Sequence, residues 1–340
     1  MAEIGVEYNL LDLHRETLNN GELAKIYDMI TQTNEIMRDL IMIEANDGTG
    51  HKHSELTGLP TSYYRALNQG YPKSKDSTKI VRDTIAKHGG RFTADRALAK
   101  LSGNQAEYMA RKEMNFMKSI IETLATVTFY GNSDTDSDQY FGIHTRLSVP
   151  SGDRTNAGYN IVDGGGVGAD NLSMVGVVHS ADTIHGIYPK GSQGGLQIDR
   201  FNDVLVDDDS ASGSGKKFVG HERVLEQDMG LAVPSWRGIT RACNIDVSLL
   251  TPDISTGADL GLLLARMAFR MMGVPGKKVF YANATAISML FQQRMKSVGG
   301  QVGHKEVDGQ QVYDFQGIPI KLCDALVNTE PTVTGTFSPV

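Results

Sequence analysis

The sequence predicts an α+β protein, and three features carry that reading. The run from Asn104 to Gly131 has the periodicity of one long amphipathic helix, a glycine-rich region with β-like segments follows it, and the last third alternates helix and strand. No catalytic constellation accompanies the long helix, which points to a protein whose product is a shape.

The 340 residues suffice for a substantial core in one to three domains. The 37 glycines against 10 prolines imply many turns. A formal net charge of -7 argues against an extended surface built to neutralise phosphate, and so against a nucleic-acid reader. Cys243 and Cys323 stand far apart with no Cys or His at ligand spacing, as suits reduced thiols in a cytosolic protein. The opening Met1-Ala2-Glu3-Ile4-Gly5 lacks a secretory signal, and no apolar run approaches the roughly 18 residues of a membrane span.

Residues 1–20 carry Leu10, Leu11, Leu13 and Leu18 among polar neighbours, which makes them a frayed terminus or an arm that orders against a neighbour. A short helix is expected over Glu22–Thr31 and a strand over Ile36–Ile43. From Ala45 to Thr93 almost fifty residues show little core-forming periodicity, too many for a plain loop. That stretch is either disordered or an extended β-hairpin that packs on something else. Tyr63, Tyr64 and Leu67 beside Arg65 favour order, because disordered tracts are poor in aromatics.

The long helix opens with capping-box spacing at Ser102 and Gln105. It keeps Ala106, Met109, Ala110, Met117, Ile120, Ile121 and Leu124 at helical intervals and stops at Gly131. At 1.5 Å per residue it is a rod on the order of 40 Å long. Beyond it, Met174–Ser180 and Thr183–Tyr188 read as one hairpin about Ala181-Asp182, and Phe201–Val206 as a further strand. Ser210–Gly215 reads as a flexible tip. Long strands fill Phe218–Val247, interrupted near Val233-Pro234-Ser235-Trp236.

Leu260–Met272 is apolar on nearly all faces and therefore expected to be buried, closed by Gly273 and Pro275. A strand at Lys278–Ala282 precedes a helix over Thr285–Val298 capped by Asn283. Asp308-Gly309 is a hairpin turn, Tyr313–Ile320 continues the sheet, and the tail from Glu330 is exposed or docks on a neighbour.

Candidate chemistry is weak throughout. Asp163–Gly168 precedes a strand rather than a helix and lacks the lysine ending of a phosphate loop, so it reads as a turn. Asp134, Asp136 and Asp138 alternate like calcium ligands, but Gln139 stands where that loop needs glycine and Thr145 where it needs glutamate. Asp207-Asp208-Asp209 is a solvated turn. His51 and His53 share a strand face without a third ligand near in sequence, so they read as polar β-surface. Ser180, Ser192 and Ser235 lack a nucleophile elbow, and Cys243 lies in an apolar strand as an inert thiol. No catalytic, metal or cofactor site is expected.

The ordered motifs are more telling. Thr57-Gly58-Leu59-Pro60 and Arg65–Gly70 precede the long helix, which ends in Phe129-Tyr130-Gly131-Asn132 and is followed by Phe141-Gly142-Ile143. Then come His185–Ser192 with Gly195-Leu196-Gln197, Gly230–Val233 with Trp236-Arg237, Arg241–Asp246, and Phe315–Ile320 before Asp324-Ala325-Leu326. In this order they resemble the major capsid proteins of tailed bacteriophages with the Hong Kong 97 (HK97-like) fold, most closely the short-tailed epsilon-fifteen-like branch. The likeness covers about nine tenths of the chain, and residues 134–140 and 206–216 depart from it by being longer or more polar.

The resemblance implies an N-terminal arm at 1–32 and an extended loop at 33–95. It implies a peripheral domain from 96–150 and 200–250 with the spine helix 104–131, and an axial domain mainly from 151–199 and 251–340. It also implies a non-enzymatic shell protein that builds hexamers and pentamers of an icosahedral capsid around double-stranded DNA, assembled in the host bacterial cytoplasm. Scaffold and portal proteins are the implied partners, with a decoration protein as a further one, and neither sequence-specific DNA binding nor a membrane is involved. Leu59, Tyr63, Tyr64 and Arg65 are the expected inter-subunit contacts, with Arg65 facing a carboxylate. An encapsulin-like compartment of the same fold is the alternative.

Overall fold

The computed structural model describes Tyr8, Leu13 and residues 32–207, 217–254, 257–296, 303–307 and 310–338. The chain divides into two compact units, one from Met1–Gln32, Lys87–Leu124 and Gly195–Asp228, the other from Thr33–Ala86, Ala125–Gly194 and Met229–Val340. The expected helix at Glu22–Thr31, the tip at Ser210–Gly215, Asp208 and Asp209, and the Asp308-Gly309 turn lie outside the described residues.

The elements in chain order are α1 (Ile36–Asp39), β1 (Met42–Glu44), β2 (Gly50–Gly58), β3 (Ser77–Asp95), α2 (Arg96–Leu101), α3 (Gln105–Tyr130) and α4 (Ile143–Arg146). There follow β4 (Ile161–Asp163), β5 (Asn171–His179), β6 (His185–Tyr188), β7 (Gln197–Asp207), β8 (Lys217–Ala232) and β9 (Ile239–Asp246). The last are α5 (Leu260–Arg270), β10 (Lys277–Ala282), α6 (Ala284–Lys296), β11 (Gly303–Val307), β12 (Gln310–Phe315) and β13 (Ile318–Leu322). One six-stranded sheet runs β1-β6-β8-β3-β2 with β7 also on β8, and a seven-stranded sheet runs β11-β12-β13-β10-β5-β9-β4.

In the first unit α3 is the backbone of the packing. Phe116 stacks on Phe92 of β3 with ring centroids 4.9 Å apart, Tyr8 meets Phe92 edge-on at 6.1 Å, and Lys112 sits 4.1 Å over the Tyr8 ring. Glu113 is buried on the same helix, and Arg200 of β7 and Arg223 of β8 approach it at 2.9 and 2.7 Å. Two fixed guanidinium groups compensate the desolvation of that one carboxylate. The hydrogen bond from Arg200, joined by that from Arg223, outweighs the opposing effect of burial and holds the Glu113 carboxyl below its ordinary value. The α3 start differs from the expected Ser102/Gln105 box. Ser102 ends α2, and Asn104 caps instead, its Oδ1 accepting from the Glu107 amide while its Nδ2 donates to the Glu107 carboxylate, each at 3.3 Å.

In the second unit the seven-stranded sheet carries the main core. Leu172, Met174 and Val178 of β5 point to one face and join Leu260, Leu264, Met267 and Leu290 of α5 and α6. Each such side chain contributes on the order of 2 kcal/mol of burial. Ser173 and His179 belong to the opposite parity and meet Glu330 and Tyr281. Asp259 caps α5 by accepting from Leu262, and Asn283 caps α6 by accepting from Ala286, as its sequence predicts.

Several expectations are corrected. The segment Ile36–Ile43 is not one strand, because a helical turn at Ile36–Asp39 precedes β1. The expected hairpin about Ala181-Asp182 splits: isolated bridges join His179 and Ser180 to Ile184, but β5 enters one sheet and β6 the other. Tyr313–Ile320 does continue the sheet, but as parts of two strands. Gln316 and Gly317, at φ 53 and 78°, turn β12 back on β13. Helix α5 is not buried all round, since Leu262, Phe269 and Met272 lie exposed on one side. The tail, expected exposed or docked on a neighbour, begins docked on its own chain: Glu330 is buried, its amide bonds to the Asn171 carbonyl and the Val333 amide bonds to Asn244.

Candidate assembly surface

The excursion after α1 is an ordered hairpin. β2 and β3 pair antiparallel from Gly50 opposite Thr84 to Gly58 opposite Ser77, with an irregularity at Leu56/Gly58. Gly50 is dictated by close approach, since a Cβ there would lie 2.5 Å from the Asp83 carbonyl. At the root, Asn46 clamps Lys52 through both its amide at 2.8 Å and its carbonyl at 2.6 Å. Asp83 is 1% exposed and accepts from Arg146 at 2.6 Å and from the Val233 amide at 3.2 Å. Arg146 also donates to the Leu231 carbonyl at 3.0 Å, so one buried ion pair ties the hairpin to α4 and to the end of β8.

Beyond Gly58 the chain turns through residues 59–76 with no regular element. Thr57 and Ser74 close the base of this tip by bonding Ser77 and Thr61. Leu59 is 80% exposed, Tyr64 fully exposed, Leu67 90% and Tyr63 45%. Arg65 donates to the Gln69 carbonyl at 3.0 Å and lies 5.4 Å from the Tyr71 ring centroid. The four sequence-predicted contact residues therefore sit together on one shaped protrusion, with their apolar surface uncovered by their own chain. Exposed apolar side chains concentrated this way mark a binding surface.

The spine motif closes around two glycines. Gly142 donates to the Gly131 carbonyl at 2.8 Å, and a Cβ on Gly131 would lie 2.4 Å from the Tyr140 carbonyl. Thr145 bonds the Gly131 carbonyl and Tyr140 bonds Thr128, which fixes where the chain leaves the helix. Downstream, Arg241 is buried in β9 and pairs with Glu330 at 2.8 Å. Tyr130 donates to the same carboxylate at 2.6 Å, and Ser173 bonds it too.

The remaining sequence candidates resolve as structure. Asp163–Gly168 is a loop in which Gly164 and Gly166 bond backbone carbonyls of β9 and Asp163 accepts from Gly165 and Asn244. Asp136 accepts from the Asp138 amide and from Gln139, so the Asp134–Asp138 segment is a side-chain-braced turn. His51 lies 6.4 Å from the His53 ring and 5.8 Å from that of His185, and burial pulls His185 below the usual imidazole range. Among the described residues no group of three His, Cys, Asp or Glu side chains is placed to hold a metal, and no helix is long and apolar enough to cross a membrane. Burial pushes the Cys243 and Cys323 thiols up to about 12.

Sequence reasoning missed the Asp83–Arg146 and Glu330–Arg241 pairs, whose members stand far apart in the chain. One signal for the second was legible: an arginine inside the apolar run Ile239–Val247 needs a buried carboxylate.

A 26-residue helix, a long β2–β3 hairpin and a mixed seven-stranded sheet are the elements of a phage shell subunit of the HK97 type, the class to which the comparisons assign the chain. The model of the family "Major capsid protein GP7" matches residues 18–334, and the chain belongs to that family. Among solved structures, that of bacteriophage Epsilon15 superimposes with a TM-score of 0.79 at 31% identity, over 98% of this chain and 99% of that one. The bacteriophage JBD30 capsid matches at a TM-score of 0.47 and 8% identity over 77% of this chain and 83% of that one. The capsid of Myoviridae phage XM1 matches at 0.41 and 8% over 65% and 95%. A comparison with curated protein sequences finds no match. The protein is thus a major capsid protein of an icosahedral phage shell, and nothing in these matches supports an encapsulin-like compartment.

Proposed function

We propose that the subunit assembles with itself into hexamers and pentamers, and that the β2–β3 hairpin reaches onto a neighbouring copy, where Leu59, Tyr63, Tyr64 and Arg65 make the contact. The observation that carries this reading is the tip itself: Leu59 and Tyr64 are 80% or more exposed on a hairpin whose root is fixed by a buried ion pair. A protrusion that cannot bury its apolar residues on its own body buries them on the next subunit, and repetition over a shell turns modest contacts into avidity. Arg65 exchanges its Gln69 contact for a neighbour's carboxylate, for which its planar fork is suited.

In this reading residues 1–32 are an arm, 33–95 the extended loop, 96–150 and 200–250 the peripheral domain and 151–199 with 251–340 mainly the axial domain. The shell encloses double-stranded DNA without sequence-specific binding, which the net charge of -7 favours because an inner wall that is not strongly basic lets the packaged duplex slide. Scaffold and portal proteins, with or without a decoration protein, are its further partners. Assembly takes place in the host cytoplasm, and the subunit performs no catalysis. The test is expression of the chain alone and with Leu59→Asp/Tyr64→Asp, followed by electron microscopy. Wild-type shells and soluble, folded but unassembled variant support the reading; shells from both refute the role of the tip.

A further inference from the structure

Most arginines among the described residues are held by a carboxylate, as Arg146 is by Asp83, Arg200 and Arg223 by Glu113, and Arg241 by Glu330. Arg154, Arg266 and Arg270 form no such pair, and all three line one cleft of about 750 Å³ in the second unit. Arg270 is half-buried, donates to the carbonyls of Tyr159 and Ile161, and stacks 4.8 Å from the Tyr159 ring centroid. Arg154 lies 5.8 Å from the same ring, and Nε of Arg266 is buried without a hydrogen-bond partner. Phe269 stands 61% exposed at the rim.

Asp163 is the one carboxylate in the lining and accepts from the Gly165 amide and Asn244, so three guanidinium groups, two of them partly buried, stand in excess of one negative charge, a cost that a further bound carboxylate would offset. On a chain of net charge -7 such a gathering is not a solvated surface of average character. Beside Asp163 its companions are the aromatic Tyr159, Phe269 and Phe337, and lysine is absent from the lining. Aromatic residues with arginine are the composition of a protein–protein contact core, whereas phosphate-tracking grooves use lysine as well.

The chain also carries the complementary feature. Asp134, Asp136 and Asp138 are exposed on the loop after the spine helix, and its Asp136-braced turn presents them outward. Within one chain no ion pair among the described residues joins this loop to the cleft.

We propose that the cleft of Arg154, Arg266 and Arg270 around Tyr159 takes the Asp134–Asp138 loop of a second copy of this chain. The inference rests on the self-assembling shell reading, and it adds an electrostatic contact separate from the hairpin tip. Screening by salt then weakens assembly through this contact.

The test is a charge-exchange cycle on the full chain. Arg154→Glu/Arg266→Glu alone, and Asp134→Arg/Asp136→Arg alone, are expected to raise the protein concentration needed for shell formation by about tenfold or more. All four substitutions in one chain are expected to restore it, since each copy then carries a reversed cleft and a reversed loop. Circular dichroism and thermal unfolding of the subunits verify that each variant folds. If both reversed pairs assemble at the wild-type threshold, or if the fourfold variant is no better than its parents, the docking proposal is overturned while shell formation by the wild type still stands. If the cleft variant assembles normally but loses retained DNA, the cleft serves phosphate and the proposal is likewise overturned. Absence of shells from wild type would instead defeat the assembly reading itself.

Discussion

Replacing Glu330 by alanine removes the only carboxylate within ion-pair distance of Arg241 among the described residues. Glu330 is 3% exposed and Arg241 6% exposed, their closest approach is 2.8 Å, and Tyr130 donates to the same carboxylate at 2.6 Å. Arg241 keeps neutral partners at Ser173 and the Leu147 carbonyl, 3.1 and 3.0 Å away, but its charge is left without compensation inside the second unit. Breaking a buried pair by removing one partner costs about 3–5 kcal/mol. For a unit of this size each kcal/mol moves the melting temperature by roughly 2–4 °C, so Glu330→Ala lowers Tm by about 10 °C. Differential scanning calorimetry of the unassembled subunit measures it. Glu330→Leu with Arg241→Met removes both charges and recovers most of the loss, because the penalty lies in the stranded guanidinium and not in the missing contact. A fall below 2 °C for Glu330→Ala, or a double variant no better than the single one, would refute this reasoning.

Three further outcomes follow from the same geometry. Gly131→Ala places a methyl group 2.4 Å from the Tyr140 carbonyl and 2.6 Å from that of Val127, so the helix exit shifts and stability falls by about 2 kcal/mol, read from urea midpoints. His179 is 2% exposed and its pKa is pulled down to about 4 by burial, while the unfolded imidazole titrates near 6.5. The unfolded state binds the proton first, so this contribution is intact above the unfolded pKa and is lost as pH falls from about 6.5 to 4, on the order of 3 kcal/mol. His179→Gln flattens that part of the stability profile, and a profile unchanged by the substitution contradicts the assignment. The Asp39 pKa is raised by burial, but hydrogen bonds from Lys277, Lys321 and Tyr281 outweigh this and hold it below its ordinary value. Its contribution is present above the unfolded pKa and lost as pH falls through the folded one, so Asp39→Asn removes an acid-labile component seen below that of His179.

Local chemistry made much of the fold readable. The apolar spacing from Ala106 to Leu124, the stop at Gly131, the Asn283 cap and the break at Val233–Trp236 each express a constraint lying within a few residues. The excursion was legible as a problem, too long for a loop and too aromatic for disorder, and the β2–β3 hairpin is its solution. What escaped was set at long range. Nothing near Thr183 announces that β5 and β6 part into different sheets, and the exposed side of α5 is written in a sequence apolar enough to be buried all round. The tail from Glu330 read as exposed or docked on a neighbour because its partners Arg241 and Tyr130 lie some ninety and two hundred residues away in its own chain. At the tip the residues were legible, and their apolar surface stands uncovered by their own chain.

A cryo-electron microscopy map of the assembled particle, at a resolution that traces residues 59–76, tests the central claim most directly. The account requires Leu59, Tyr63 and Tyr64 packed against a neighbouring subunit with Arg65 against its carboxylate. A map with those side chains in solvent, or folded back on their own chain, would contradict it.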